Sequence, residues 1–277
     1  MGIKKRKIGS RKVGPIGLGV MPLDEYTPKT GDKEAIRFLK HSVKLNVDFM
    51  DTADVYGLGR NEELIGKALR QEEKESILIA TKAGCTRPGG VGWGTDGRPE
   101  HIKQAIHKSL GRLNTKKIEL YQLHAPDPII PVEESIKALK ELQETGLIKH
   151  VGVSNFNLKQ LREAQKITDV VSVQNHFNLA NKKDEKELLP YLTENKIAYI
   201  PYFPIGSGRI IRDSRLIEIA QKINITPAQL ALGWIITKWP TAIPIPGTTN
   251  PLHLYENLKT KDVEISEKII KELDSLY

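Results

Sequence analysis

Only one of the 277 residues is a cysteine, Cys85, so no internal disulfide can form. A lone thiol in a chain of this size reads as packing, and the setting expected from it is reducing and cytoplasmic. Long apolar runs are also missing. The longest are strand-length, well short of the roughly 20 residues that cross a bilayer, so no membrane association is expected. The N-terminal stretch MGIKKRKIGSRKVG is basic but has no apolar centre, and it is not read as a secretory signal. Arg6 stands where a myristoylation motif needs Ser or Thr. Aromatic residues make up only 6% of the chain and do not interleave with its one concentrated basic stretch, residues 4–12. The net charge of +8 is otherwise spread along helices as mixed pairs, such as Lys137, Lys140, Glu141 and Glu144. No nucleic-acid partner is therefore expected. His150, His176 and His253 show no ligand spacing with one another or with Cys85, so no metal site is expected. Ser154 lacks the setting of an activated nucleophile.

A dinucleotide fingerprint is absent too. In the nearest candidate, the run Gly14 to Gly19, the pair Gly17 and Gly19 leads into Met21 and Pro22, so the third glycine and an opening helix are both absent. That argues against an open, doubly wound sheet. No linker or low-complexity block breaks the chain, which reads as a single domain of residues 1–277.

What the sequence does contain is alternation. Short runs rich in Val and Ile alternate with amphipathic stretches of helical period. Strands are expected near 14–20, 48–54, 77–82, 118–124, 149–154, 170–176, 198–204 and 241–246. Helices are expected near 32–45, 60–70, 99–113, 132–145, 157–166, 183–195, 213–223, 227–239, 251–259 and 266–276. In 132–145, Val132, Ile136, Leu139 and Leu142 share one face, with Pro131 and Gly146 at its ends. Eight strands with intervening helices give an α/β fold, a (β/α)8 TIM barrel, preceded by a short hairpin over residues 4–12. Two long loops, 84–98 and 205–212, leave strand exits, where such a barrel builds its contacts.

Four titratable residues stand at successive strand exits: Asp51 and Tyr56 in FMDTADVYG, Lys82 in SILIATKAG, and His124 in IELYQLHAP. Singly, each has an ordinary role as a turn cap, a rim aromatic, a solvated cation or a core histidine. Together they make chemical sense. A phenol beside an ammonium is an activated acid, a carboxylate orients the ammonium, and an imidazole aims a carbonyl. The expectation is that Lys82 lowers the pKa of Tyr56, because an opposite charge favours the phenolate.

The stretches DTADVYG, NEELIGKAL, IATKAG, LYQLHAPD, KHVGVSNF, VQNHFN, YIPYFPIG, IPIPGTTN and HLYENL occur in the order and spacing of the aldo-keto reductases, which the chain resembles over nearly its whole length. The resemblance implies a tetrad of Asp51, Tyr56, Lys82 and His124 and the reduction of a small carbonyl substrate, an aldehyde or ketone, by a nicotinamide cofactor. It places Ser154, Asn155 and Gln174 on the cofactor's carboxamide and Tyr202 under its ring. Phe203, Pro204, Ile205, Gly206, Ser207 and Gly208 then line the pyrophosphate, with Arg209 and Arg212 nearby. Pro246, Gly247, Thr248, Thr249 and His253 surround a phosphate at a helix start, and Glu256 and Asn257 face adenine. Many relatives carry Lys and Arg where this chain has Gly247 and His253, so NADP is expected as cofactor with NAD as the alternative. Met21, Pro22, Leu23 and Trp93 are expected to line an apolar substrate pocket. A bacterial subgroup that includes pyridoxal reductases is similar in MPL, VQNHFNLANKKDE and YIPYFPIG, which makes pyridoxal one candidate. Two other readings remain: a nicotinamide-binding module of the kind seen in channel β-subunits, and an isomerase or aldolase barrel with Lys82 as Schiff-base nucleophile. A monomer or weak homo-oligomer is expected.

Overall fold

The computed structural model describes residues 3–25, 31–90 and 92–277. An antiparallel hairpin comes first, β1 (Arg6–Ile8) against β2 (Arg11–Val13), as expected for residues 4–12. The wall of the barrel is built from β3 (Leu18–Gly19), β4 (Phe49–Asp51) and β5 (Leu78–Ala83). A second hairpin, β6 (Cys85–Thr86) with β7 (Gly94–Thr95), leaves the end of β5. The wall continues through β8 (Ile118–Leu123), β9 (Ile148–Ser154), β10 (Val170–Gln174) and β11 (Ala198–Tyr199). These wall strands form one parallel sheet in the order β11-β10-β9-β8-β5-β4-β3.

Helices cover its outer face: α1 (Pro22–Glu25), α2 (Asp32–Lys44), α3 (Arg60–Ala68), α4 (Gln71–Ser76), α5 (Pro99–Leu113), α6 (Val132–Glu144) and α7 (Leu158–Gln165). They continue as α8 (Leu188–Glu194), α9 (Ser214–Lys222), α10 (Pro227–Lys238), α11 (Pro251–Lys259) and α12 (Glu267–Leu276). Local chemistry sets their starts. Asn157, Asp213, Thr226, Asn250 and Ser266 each accept a backbone N–H of the following helix, satisfying donors left free by the first turn. No described helix is long and apolar enough to cross a membrane.

The architecture is the expected (β/α)8 barrel, but the eighth strand differs from a regular ladder. Ile243 and Ile245 donate to Tyr199 and Pro201 on one side, at 2.7 and 3.2 Å, while Gly17 and Gly19 donate to Pro244 and Pro246 on the other, at 3.0 and 3.3 Å. The prolines have no N–H to return to the first strand, so closure runs through isolated bridges, Tyr199↔Ala242 and Gly19↔Gly247. The helix expected over 183–195 shortens to α8, and α1 and α4 are short helices that the periodicity did not mark.

The barrel interior is layered. Side chains alternate across each strand, and Phe49, Leu78, Ala80, Leu120, Ala198, Ile200, Ile243 and Ile245 form a separate apolar cluster with Ile8 and Val13 of the hairpin. The hairpin thus plugs the end where the strands begin. Arg6 fastens it, donating to the carbonyls of Ile236, Trp239 and Ala242 at the end of α10. Continuing the same alternation toward the strand exits, the inward positions turn polar: Asp51, Lys82, Gln122, Ser172 and Gln174, all buried. Gly152 makes room for this layer. A Cβ there would stand 2.4 Å from Ser172 Oγ and 2.9 Å from Gln122 Cγ.

Candidate active site

Every element that supplies this layer ends on the same face. Asp51 closes β4, Tyr56 opens a one-turn 3-10 helix (Tyr56–Gly59), Lys82 stands one residue from the end of β5, and His124 directly follows β8. Parallel register brings neighbours level: Asp51 with Ala80, Lys82 with Gln122, and Gln174 with Ser154. Lys82 is fully buried. Its Nζ donates to Asp51 Oδ2 at 2.7 Å, to the Thr52 carbonyl at 2.7 Å and to the Tyr56 hydroxyl at 3.4 Å. Three acceptors saturate the ammonium, as a buried cation requires. The rings of Tyr56 and His124 meet edge to face at 5.8 Å, and Trp93 approaches His124 at 6.2 Å.

The electrostatics correct one expectation. Tyr56 is not made more acidic here. Burial, followed by the Asp51 carboxylate, holds its phenol well above the usual value. Lys82 is already neutralised by Asp51, so the pair offers little net positive charge to the phenol. Burial, then Lys82, pushes His124 well below the ordinary histidine range, so its imidazole is neutral. Its Nδ1 is buried without a partner. An orphaned N–H is rarer than an unfilled acceptor, which places the single ring proton on Nε2.

Asp51 Oδ1 accepts from Gln174 at 2.8 Å and from Gln122 at 3.4 Å. One of the two Gln174 amide N–H groups is therefore committed to Asp51. Asn155 is engaged at both ends of its amide: Nδ2 donates to the His124 carbonyl at 2.9 Å and to Ser154 Oγ at 3.1 Å, and Oδ1 accepts from Tyr202 at 2.7 Å. Its backbone is left-handed, with φ 62°. Available to meet a ligand amide are the Ser154 hydroxyl proton and, on Gln174, the side-chain carbonyl and the second N–H. Behind Tyr202 the His176 ring stacks at 5.5 Å, with 16° between planes.

A cavity of about 830 Å³ joins these residues. It runs from Met21, Pro22, Tyr56, Trp93 and His124, past Ser154, Asn155, Gln174 and Tyr202, to Thr248, Thr249 and His253 at the start of α11. Phe203, Pro204, Ile205, Ser207, Gly208 and Gly247 line it as expected. Seven of the expected residues fall outside. Leu23 is buried in the barrel–helix core, because the inner face of α1 carries it away from the cavity. Gly206 and Pro246 do not reach the lining, nor do Glu256 and Asn257, further along α11. Arg209 and Arg212 do not line it either. Lining residues that the motifs did not mark are Gly19, Cys85, Ile211, Ile245 and Asn250. For Cys85, which follows β5 by two residues, strand-exit position alone was the available signal. Burial pushes its thiol up to about 12, so it is an apolar wall rather than a nucleophile.

A parallel barrel with a Lys–Asp pair, a phenol and a neutral imidazole at its strand exits defines an enzyme-like class of site. The sequence matches the model of the Aldo/keto reductase family over residues 15–277, and the chain belongs to that family of oxidoreductases. An uncharacterized oxidoreductase of Schizosaccharomyces pombe is 37% identical over 272 residues, covering 97% of this chain and 88% of the relative. Pyridoxine 4-dehydrogenase of Escherichia coli is 32% identical over 278 residues, covering 97% and 96%. The structure of an aldo/keto reductase from Klebsiella pneumoniae in complex with NADP and acetate superposes with a TM-score of 0.86 at 26% identity, covering 100% of this chain and 96% of the other.

Proposed function

We propose that the chain reduces an aldehyde or ketone to the alcohol with NADPH, and catalyses the reverse reaction when the cofactor ratio favours it. The observation that carries this reading is the buried Lys82 ammonium between Asp51 Oδ2 and the Tyr56 hydroxyl, at 2.7 and 3.4 Å. The residues present suit a dinucleotide. One cavity links Tyr56 to α11, and it has an aromatic platform in Tyr202, a hydroxyl and a side-chain amide in Ser154 and Gln174, and left-handed backbone at the lining residues Phe203, Ser207 and Gly208. The helix start at Pro251 with Thr248 and Thr249 is suited to an anion.

When bound, the reduced nicotinamide supplies a hydride to the carbonyl carbon. The protein's part is the proton and the geometry. Tyr56, protonated at rest because burial and Asp51 disfavour its phenolate, donates from its hydroxyl to the carbonyl oxygen. As that proton leaves, Lys82 meets the growing negative charge on the phenolate oxygen. His124 donates from Nε2 to the same substrate oxygen and fixes its direction. His124 is a hydrogen-bond donor and not the acid, since its neutral ring has one proton and burial opposes a second. The Klebsiella pneumoniae neighbour was solved with NADP. The Escherichia coli relative is named for pyridoxine, so pyridoxal joins the candidate substrates.

The test is oxidation of NADPH and NADH, followed by ultraviolet absorbance against a carbonyl panel that includes pyridoxal, with Tyr56→Phe as control. Turnover that falls by roughly 10²–10⁴ in the variant, with cofactor binding retained, is the expected result. Full turnover by Tyr56→Phe would remove the phenol from its assigned role.

A further inference from the structure

Three rings meet behind the wall of the cavity. His176 stacks on the face of Tyr202 at 5.5 Å and meets Phe203 edge to face at 5.8 Å, while Tyr202 meets Phe203 at 5.4 Å. Tyr202 and Phe203 line the cavity and His176 does not, so the imidazole backs the wall from outside the site. The backbones are joined as well. His176 and Tyr202 form a parallel bridge, and the Tyr202 N–H donates to the Asn175 carbonyl at 3.0 Å. Phe203 needs such support, because its backbone is left-handed, φ 48°, a strained state for a residue other than glycine.

Asn178 decides the state of the imidazole. Its Oδ1 accepts the Ala180 N–H at 3.0 Å, and its Nδ2 donates to the Phe203 carbonyl at 2.9 Å. Both partners are backbone groups with fixed roles, so the amide can point only one way. The group that meets His176 Nε2, at 3.1 Å, is therefore an NH2 donor, and Nε2 must be the unprotonated, accepting nitrogen. A proton added there would set two donors face to face. Either the ring then leaves Tyr202 or Asn178 leaves the Phe203 carbonyl. We propose that His176 is a positioning residue for the nicotinamide cofactor: neutral, it fixes the Tyr202 ring and the Phe203 carbonyl at the cavity wall, and protonated, it releases them and weakens binding. This rests on the cofactor reading, in which Tyr202 is the platform. Burial, then the Lys183 ammonium, holds His176 below the ordinary histidine range. The neutral form prevails, and affinity is lost only as pH falls through that lowered value. The Tyr202 phenol, raised by burial and then by Asp184, stays protonated throughout. The other groups that face the ring, the Asn178 amide and the Phe203 ring, carry no charge.

The experiment titrates oxidised NADP and NAD by fluorescence from about pH 8 to about pH 5, in the wild type and in His176→Phe, which keeps a stacking ring but cannot take up a proton. The wild type is expected to lose about fivefold or more in affinity on the acid side beyond what the variant loses. Groups at the phosphate end, the 2′-phosphate included, titrate alike in both proteins and cancel. NMR of the His176 ring in the wild type, assigned by its absence from the spectrum of the variant, reads the same coupling from the other side. With cofactor bound, protonating His176 is expected to take about fivefold or more higher proton concentration, since the linkage is reciprocal. A purely structural role would move neither reading. If both proteins lose affinity equally, or His176 titrates at the same pH with and without cofactor, the inference is overturned while binding still upholds the cofactor reading. If neither cofactor binds at any pH, the cofactor reading and this inference fall together.

Discussion

Gln174 donates its side-chain amide to Asp51 at 2.8 Å, joining the end of β10 to the end of β4 across the barrel. Asp51 is thereby held from three directions, since Lys82 takes its other oxygen and Gln122 approaches at 3.4 Å. The carboxylate is an acceptor for donors only, and an amide cannot replace it. Asp51→Asn would set an NH2 group against Lys82 or Gln174 and leave a fully buried ammonium without its counter-charge. Loss of one partner of a buried pair costs roughly 3–5 kcal/mol. The expected outcome is a large drop in the urea midpoint together with a fall in kcat of at least tenfold. Unchanged stability would mean that the Asp51–Lys82 pair does not hold the tetrad.

A second buried carboxylate stands behind the Asn155 side of the cavity. Asp184 Oδ2 accepts from Tyr199 at 2.7 Å and from Asn175 at 2.8 Å. Asn175 in turn brackets Phe156, accepting its N–H at 3.1 Å and donating to its carbonyl at 2.8 Å. That bracket fixes the bend in which Asn155 adopts its left-handed backbone. Asp184→Ala leaves two buried donors unpaired, at about 1–3 kcal/mol each, and frees the bend. Tyr199→Phe removes one donor and its hydrogen bond together, and costs about 1 kcal/mol. Urea denaturation would order the two variants, and NADPH titration by fluorescence is expected to show several-fold weaker binding in Asp184→Ala only. Equal cofactor affinity in both would confine the network to stability.

How much of this was legible in the sequence depends on how local its cause is. Asp51, Lys82 and His124 each follow an apolar run, so position at a strand exit and residue type together marked them. The eighth strand was visible as apolar residues, but Pro244 and Pro246 should have signalled a ladder that could not be regular. Leu23 was misplaced because a short helix, and not a loop, follows β3. The acidity of Tyr56 could not be read from its neighbours in sequence. It depends on complete burial and on Asp51 cancelling Lys82, both set by how strands pack. The Gln174–Asp51 and Asp184–Tyr199 bonds were equally invisible, since they join side chains from separate elements across the folded chain. Glu62, fully buried with Arg112 at 2.6 Å, is another such case.

Asp54 makes a prediction about pH. Burial, then the nearby Glu62 carboxylate, raises its pKa to about 7, and its Oδ1 is buried without a hydrogen-bond partner. The folded protein therefore binds this proton more tightly than the unfolded chain does. Stability from this group is complete below the ordinary carboxylate range near pH 4 and is lost as pH rises to about 7. Asp54→Asn mimics the protonated form and escapes that loss. Relative to the wild type, it should gain ~2 kcal/mol between pH 4 and pH 8, allowing for solvent screening of a half-buried side chain. Urea denaturation at the two pH values checks this. A difference between the proteins that does not change with pH would show that Asp54 titrates normally.

On the proposed reading, cofactor choice turns on α11. The cavity ends at Thr248, Thr249, Asn250 and His253, with Asn250 capping the helix through Leu252 N–H at 2.9 Å. Thr248 Oγ1 is already accepting from Asn250 at 3.0 Å. The helix start supplies backbone donors and a dipole, but His253 is the one cavity-lining side chain in this stretch that can carry positive charge. A phosphate on the cofactor's ribose adds charge that an arginine grips through two N–H groups, whereas a ribose hydroxyl gains little from the same contact. His253→Arg is therefore expected to tighten NADPH by about tenfold, near the worth of one charge-assisted contact, and to leave NADH within about twofold. The side chain is exposed, so folding should be unaffected. Parallel titrations of the two cofactors, repeated at high salt, read the difference directly. Equal tightening of both, or a preference that salt does not weaken, would place the 2′-phosphate away from α11.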